Sequence, residues 1–225
     1  MPSRNALKQY VAGGIYHVYN RGVEKRRIFL DGEDYRIFTH YLSSYLQSPN
    51  AHGEQDLPNG LARNARNYTL NSRLCLHAFC LMPNHFHLLL KQTDDRAIVE
   101  LMRRLGNAYV GYFNQKNGRV GPLFQGRYRA AFVKDTGVYA HLTRYIHRNP
   151  AELMASSGPR ALSDYEYSSY RDYLGLRSTK WLSLDEPIEL LSSCQSHPIT
   201  PAGYREYVEQ DDSTADTLNQ TYRLD

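Results

Sequence analysis

This 225-residue chain predicts an α+β fold, an antiparallel sheet with helices packed on one side. Three observations carry that expectation. Four segments have the alternation or the β-branched and aromatic content of strands, and three others repeat apolar residues at three- and four-residue spacing. Between two of the strands stands only Pro83–Asn84, too short for anything but an antiparallel return.

"GGIYHVYNRG" (13–22) alternates and reads as the first strand. "DGEDYRIFTHYLSSYLQ" (31–47) opens with carboxylates and continues with helical apolar spacing, a first helix begun by Asp31 or Asp34. The stretch 48–67 is poor in large apolar residues and rich in turn formers, a flexible loop. "LCLHAFCLM" (74–82) is a second strand, and the tight turn at 83–84 leads into a third that bears His85 and His87. In 94–118, Ile98, Leu101, Met102, Leu105, Tyr109 and Tyr112 recur at helical spacing. "RYRAAFVKD" (127–135) is a fourth strand, and "TGVYAHLTRYIHRNP" (136–150) a third helix, capped by Thr136 and stopped by Pro150. Strand, helix, strand, strand, helix, strand, helix is close to the ferredoxin-like plan. A mainly helical C-terminal appendage follows.

Length allows one domain, or one with an appendage, and a core that needs no staples. Neither a leader-like N-terminus nor an apolar run of membrane-spanning length is present. Cys75, Cys80 and Cys194 lack metal-finger spacing, and reduced thiols point to a cytoplasmic setting. The net charge of +4 conceals a polarity: residues 1–95 carry +3, 96–150 carry +8, and 151–225 carry −7. A basic middle suits a polyanion partner. The acidic last third reads as a separate element that does not bind nucleic acid.

His85 and His87 stand two apart on a strand and so share one face, with Phe86 and Leu88 on the other. Two imidazoles on a rigid strand make a pair of ligands for a divalent metal, or else two satisfied histidines on a polar surface. On the third helix, Val138, Leu142 and Ile146 form an apolar stripe. Asn149 falls inside that stripe and Tyr145, one turn earlier, on its margin. Asn149 either closes the helix before Pro150 or supplies a third ligand oxygen; in the second case Tyr145 is placed as a nucleophile. A tyrosine hydroxyl titrates near 10, so it needs metal or base assistance to attack a phosphodiester at neutral pH.

"MPNHFHLLL" together with "RYIHRNP" resembles the single-tyrosine HUH transposases, and "GGIYHVYNRG", "GPLFQGRYRA" and "DYEYSSYRDYLG" resemble their REP-associated tyrosine transposase subgroup. The similarity spans roughly residues 10–175. It implies a ferredoxin-like catalytic domain over 1–150, with 151–225 an acidic C-terminal extension. It further implies Mg²⁺ or Mn²⁺ on His85 and His87, with Asn149 as the polar ligand, although several relatives carry the longer glutamine there. Tyr145 is then the nucleophile of a metal-dependent endonuclease and strand transferase that cleaves single-stranded or hairpin DNA, of the repetitive extragenic palindrome type, through a 5′-phosphotyrosine.

Such a partner needs cations for phosphates and rings for bases. Arg103, Arg104, Arg119, Arg127, Arg129, Arg144 and Arg148 supply the first; Tyr109, Tyr112, Phe124 and Tyr128 are available for the second, with Tyr109 and Tyr112 better suited to the core. Arg127 and Arg129 share one face of the fourth strand and are the foremost phosphate contacts. The cluster Arg21, Lys25, Arg26 and Arg27 offers a further basic loop, and His17 is an outer-shell neighbour of the metal or an ordinary sheet histidine. Two rivals stand beside this reading: a DNA-binding regulator that no longer cuts, and a hydrolase that uses water and leaves Tyr145 idle.

Overall fold

The β-branched and aromatic run Ile15–Arg21 forms β1, the central partner of a four-stranded antiparallel sheet. The fold is that of a computed structural model describing residues 10–47, 69–156, 161–194 and 198–210. The loop expected at 48–67 lies outside the described residues. Asp31 caps α1 (Gly32–Leu46), its side chain accepting from the Asp34 amide. β2 (Leu74–Met82) returns through Pro83–Asn84 into β3 (His85–Gln92), and α2 (Ala97–Lys116) crosses over to β4 (Arg129–Phe132). The strand order β2-β3-β1-β4 is the ferredoxin-like order anticipated from the element sequence.

α3 (Thr136–Arg148) follows, and its cap is Asp135, whose carboxylate accepts from the Val138 amide at 2.8 Å. Thr136, expected in that role, is the first residue inside the helix. Beyond it come α4 (Ala151–Ser156), a short 3-10 turn at Leu162–Asp164, α5 (Tyr170–Tyr173), α6 (Asp185–Ser193) and α7 (Pro201–Glu209).

The α+β class stands, but helices cover both faces of the sheet rather than one. On the first face Val18, Leu76, Phe86, Leu88 and Leu90 pack with Phe38 and Leu42 of α1 and Leu101, Leu105 and Tyr109 of α2. On the second, Ala78, Cys80 and Leu89 pack with Leu142 and Ile146 of α3 and with Leu191, Tyr204 and Val208 of α6 and α7. The reason is visible in β2 and β3, whose burial is nearly unbroken along their length. Apolar residues on both sides of a strand need cover on both sides. Each fully buried Leu or Phe contributes about 1.5–3 kcal/mol, so neither layer is dispensable.

The outer edge of β2 is also closed. Leu81 donates its amide to the Tyr167 carbonyl at 2.8 Å, Ser169 donates to the Phe79 carbonyl at 2.9 Å, and Ser183 donates to the Leu76 carbonyl at 2.9 Å.

Candidate active site

The turn that launches β3 is held from outside. Gly22 donates its amide to the Asn84 carbonyl at 2.9 Å, and Ile28 donates to the Pro83 carbonyl at 2.8 Å. Gly22 must be glycine here, since an added Cβ would meet the Arg26 carbonyl oxygen at 2.2 Å. From this fixed start the strand pleat sends His85 and His87 to the α3 face and Phe86 and Leu88 to the α1–α2 face.

His85 sits across from Arg21 on β1, with Asn84 Oδ1 2.7 Å from its Nδ1 and Asn149 Oδ1 2.9 Å from its Nε2. A neutral imidazole has one N–H. With that proton given to Asn84, Nε2 and the Asn149 oxygen turn lone pairs toward one point. His87 is fully buried; its Nδ1 is 2.8 Å from His17 Nε2, and its Nε2 is buried with no hydrogen-bond partner. The His85 and His87 rings stand edge to face, centroids 4.9 Å apart. Tyr145, half-buried on α3, presents its ring edgewise to His87 at 5.4 Å and to His17 at 6.1 Å.

Burial sets the electrostatics. It pulls His85 down to about 4, helped by the charge of Arg21 and opposed by the Asn149 contact. Burial takes His87 well below its ordinary value, and neighbouring His85 and His17 push the same way. His17 falls to about 3 from burial alone. All three imidazoles are therefore neutral at pH 7, the form that ligates metal.

The donor set fits a divalent cation. The partnerless buried His87 Nε2 needs something to satisfy it. Two ligand atoms at right angles around a small cation lie about 3 Å apart, which is the spacing of His85 Nε2 and Asn149 Oδ1. Among the described residues no group of three or more His, Cys, Asp or Glu is placed to hold a metal, and the Asn149 amide oxygen is the further atom that could face one beside the two imidazoles. Uncharged ligands leave the full positive charge of a cation for an anionic substrate.

The expected cations are scattered. Arg129 pairs with Tyr19, which pairs with His87, and so belongs to the face that bears the histidines. Arg127 precedes β4 and lines a cavity on the opposite face, so the two do not share a strand face as anticipated. Arg103 is exposed on α2, Arg104 pairs with Glu100 at 2.6 Å, and Arg119 lies over the Phe113 ring and bonds Asn114. Arg148 donates to the Val208 and Gln210 carbonyls, and Arg144 to those of Tyr207 and Gln210, so both hold the end of α7. Tyr109 and Tyr112 are buried in the core, as anticipated. Sequence reasoning undervalued His17 and missed Asn84. The alternation of "YHVYN" put His17 on one strand face, but only the β1–β3 register brings it diagonally beside His87. His147, bonded to Tyr204 Oη at 2.5 Å and Ser169 Oγ at 2.7 Å, was also unanticipated; it ties the same helix to α7 and to the β2 edge.

A histidine pair on a ferredoxin-like sheet is thus faced by a tyrosine and an amide from one helix. Residues 53–149 match the model of the family described as Transposase IS200 like. Among solved structures, one described as "Structure of the REP associates tyrosine transposase bound to a REP hairpin" is similar with a TM-score of 0.51 and 16% identity. The match covers 80% of this chain and 93% of that one, and at this identity the likeness is one of fold. Comparison with curated proteins gives no match. No helix among the described residues is long and apolar enough to cross a membrane.

Proposed function

We propose that this chain is a transposase that cleaves and rejoins single-stranded, hairpin-bearing DNA through a covalent 5′-phosphotyrosine on Tyr145. The observation that carries the reading is the convergence of His85 Nε2, Asn149 Oδ1, the partnerless His87 Nε2 and the Tyr145 ring on one sheet face. Those three atoms would hold a divalent cation, Mg²⁺ or Mn²⁺, which would supply positive charge to an anionic phosphodiester. The chain's own residues do the rest. Asn84 and His17 are placed to accept from Nδ1 of the two imidazoles, the tautomer that would leave each Nε2 lone pair for a metal. The buried floor of Cys80, Leu89 and Ile146 keeps bulk water from the ring edges.

Tyr145 forms a bond from its oxygen to phosphorus as the bond from phosphorus to the 3′-oxygen breaks. The tyrosine proton ends on that leaving 3′-hydroxyl. The 5′-phosphate remains esterified to the enzyme, and attack by another 3′-hydroxyl reverses the step and transfers the strand. The likeness to a structure bound to a REP hairpin supports a palindromic DNA partner, and free cysteines at 75, 80 and 194 suit a cytoplasmic setting.

The test incubates the protein with end-labelled hairpin oligonucleotides carrying single-stranded flanks, in Mg²⁺ or Mn²⁺. Protein shifted with the 5′-phosphate half under denaturing conditions, and a modified peptide containing Tyr145, are expected. Cleavage with no adduct would establish a water-using hydrolase, and binding with no cleavage a regulator.

A further inference from the structure

Phe86 faces away from the histidines that flank it, into a cavity of about 540 Å³ between α2 and the loop that leads into β4. We propose that this cavity is a pocket for an unpaired nucleobase, back to back with the catalytic face across one thickness of sheet. The inference rests on the DNA reading above and adds a second contact to it.

The size is that of a small-ligand cleft. Its walls combine the rings of Phe86 and Phe124 with Val110, and its polar groups include the Asn107 amide and the Arg127 guanidinium beside Asn20 and Tyr128. A base needs a ring or apolar surface for its face and a donor–acceptor pair for its edge, and an amide supplies both halves of the pair. Phe86 and Phe124 meet edge to face at 5.9 Å, an arrangement that leaves a ring face open to a third partner.

Charge selects among occupants. No carboxylate lines the cavity, Arg127 is exposed, and exposed Arg103 lies one turn before Asn107 on the same side of α2. The segment 96–150 that builds most of the pocket carries +8. An apolar peptide gains nothing from those cations, whereas a strand whose phosphates pass the rim does.

The backbone leaves room for approach. Gly106 and Gly126 both line the cavity, and a Cβ added at either would meet nothing within 4 Å. Neither glycine has a positive φ, so backbone conformation does not require it there. The loop itself is pinned, since Asn20 donates to the Gly126 carbonyl at 3.1 Å and Val23 donates to the Leu123 carbonyl at 2.9 Å. A pocket with fixed walls and an open mouth discriminates better than one that must form on binding. One strand reaching both sites rounds the sheet end near Arg21, so the base read here lies several nucleotides from the phosphate that is cut.

Gly106→Leu tests this without disturbing the fold, because it fills the mouth and replaces a poor helix former with a good one. The probe is a hairpin oligonucleotide with 2-aminopurine placed in turn at each single-stranded position. One position is expected to show strong quenching on wild-type protein, lost in Gly106→Leu and in Phe124→Leu. Affinity should fall about tenfold with the salt slope unchanged, as for one lost stacking contact. A folded Gly106→Leu variant with wild-type affinity and the same quenching pattern would overturn the pocket alone. If wild-type protein binds no such DNA, the strand-transfer reading fails and the pocket falls with it.

Discussion

Tyr145→Phe removes a single oxygen from a half-buried ring and leaves its packing in place. The edge-on contacts with His87 at 5.4 Å and His17 at 6.1 Å involve the ring, so they survive. Contacts of that kind are worth about 0.5–1.5 kcal/mol, and the hydroxyl's own net contribution is on the order of 1 kcal/mol or less. A chain of this size then loses no more than about 2–4 °C of melting temperature. DNA and metal binding stay near wild type, whereas cleavage and adduct formation vanish, because phenylalanine has no nucleophile. The assay pairs a thermal melt with a denaturing gel of labelled oligonucleotide. Tyr139→Phe, on the same helix but buried with its hydroxyl against His77 Nδ1 at 3.2 Å, is the control that loses stability and keeps the adduct. Tyr109→Phe, whose hydroxyl donates to the Ile28 carbonyl, should likewise keep it. An adduct on Tyr145→Phe would refute the assignment of the nucleophile.

EDTA should abolish cleavage while circular dichroism stays unchanged, since His85 and His87 sit on a sheet that both helical layers hold and Asn149 closes a helix packed on it; full activity in EDTA would end the metal reading. Acid should unfold the protein: His17 and His147 are held near 3, and His77 and His85 near 4, by burial, while the unfolded chain takes up protons at about 6.5. Their stabilisation is complete above pH 6.5 and is lost as pH falls through that window. At pH 5 each costs roughly 2 kcal/mol, together a large share of a typical domain's stability, so a melting temperature flat from pH 7 to 5 would contradict the buried, neutral assignment. Truncation after residue 175 removes buried Leu191, Tyr204 and Val208, about 1.5–3 kcal/mol each, and should leave a chain that melts far lower or not cooperatively; an unchanged melt would show those contacts to be weak.

Much of this was legible from spacing. Period two put His85 and His87 on one face, and period 3.6 put Tyr145 and Asn149 on one side of α3; both follow from local geometry alone. β2 runs over Leu74–Met82, the span its composition indicated. What escaped depends on partners distant in sequence. Arg144 and Arg148 looked like DNA contacts because their acceptors, the carbonyls ending α7, lie some sixty residues further on. Arg127 was paired with Arg129 by alternation, but the strand begins only at Arg129, so alternation does not reach it. Helices on both faces were signalled by the continuous apolar runs of β2 and β3, a cue that element order alone does not weigh.

The closed edge of β2 bears on how the protein behaves in a crowded solution. An unpaired strand edge as apolar as Phe79–Leu81 is a template on which another chain can add, the route to aggregation and domain swapping. Tyr167, Ser169 and Ser183 occupy that template from within the chain. β4, at the other end of the sheet, is only four residues long and only partly buried, a poor seed for the same process. Self-association by sheet extension is therefore guarded at both ends. Local opening of the 167–169 segment, which the Ser169 hydroxyl and the stacked Tyr35 and Tyr167 rings also pin, is the event that would expose the seed.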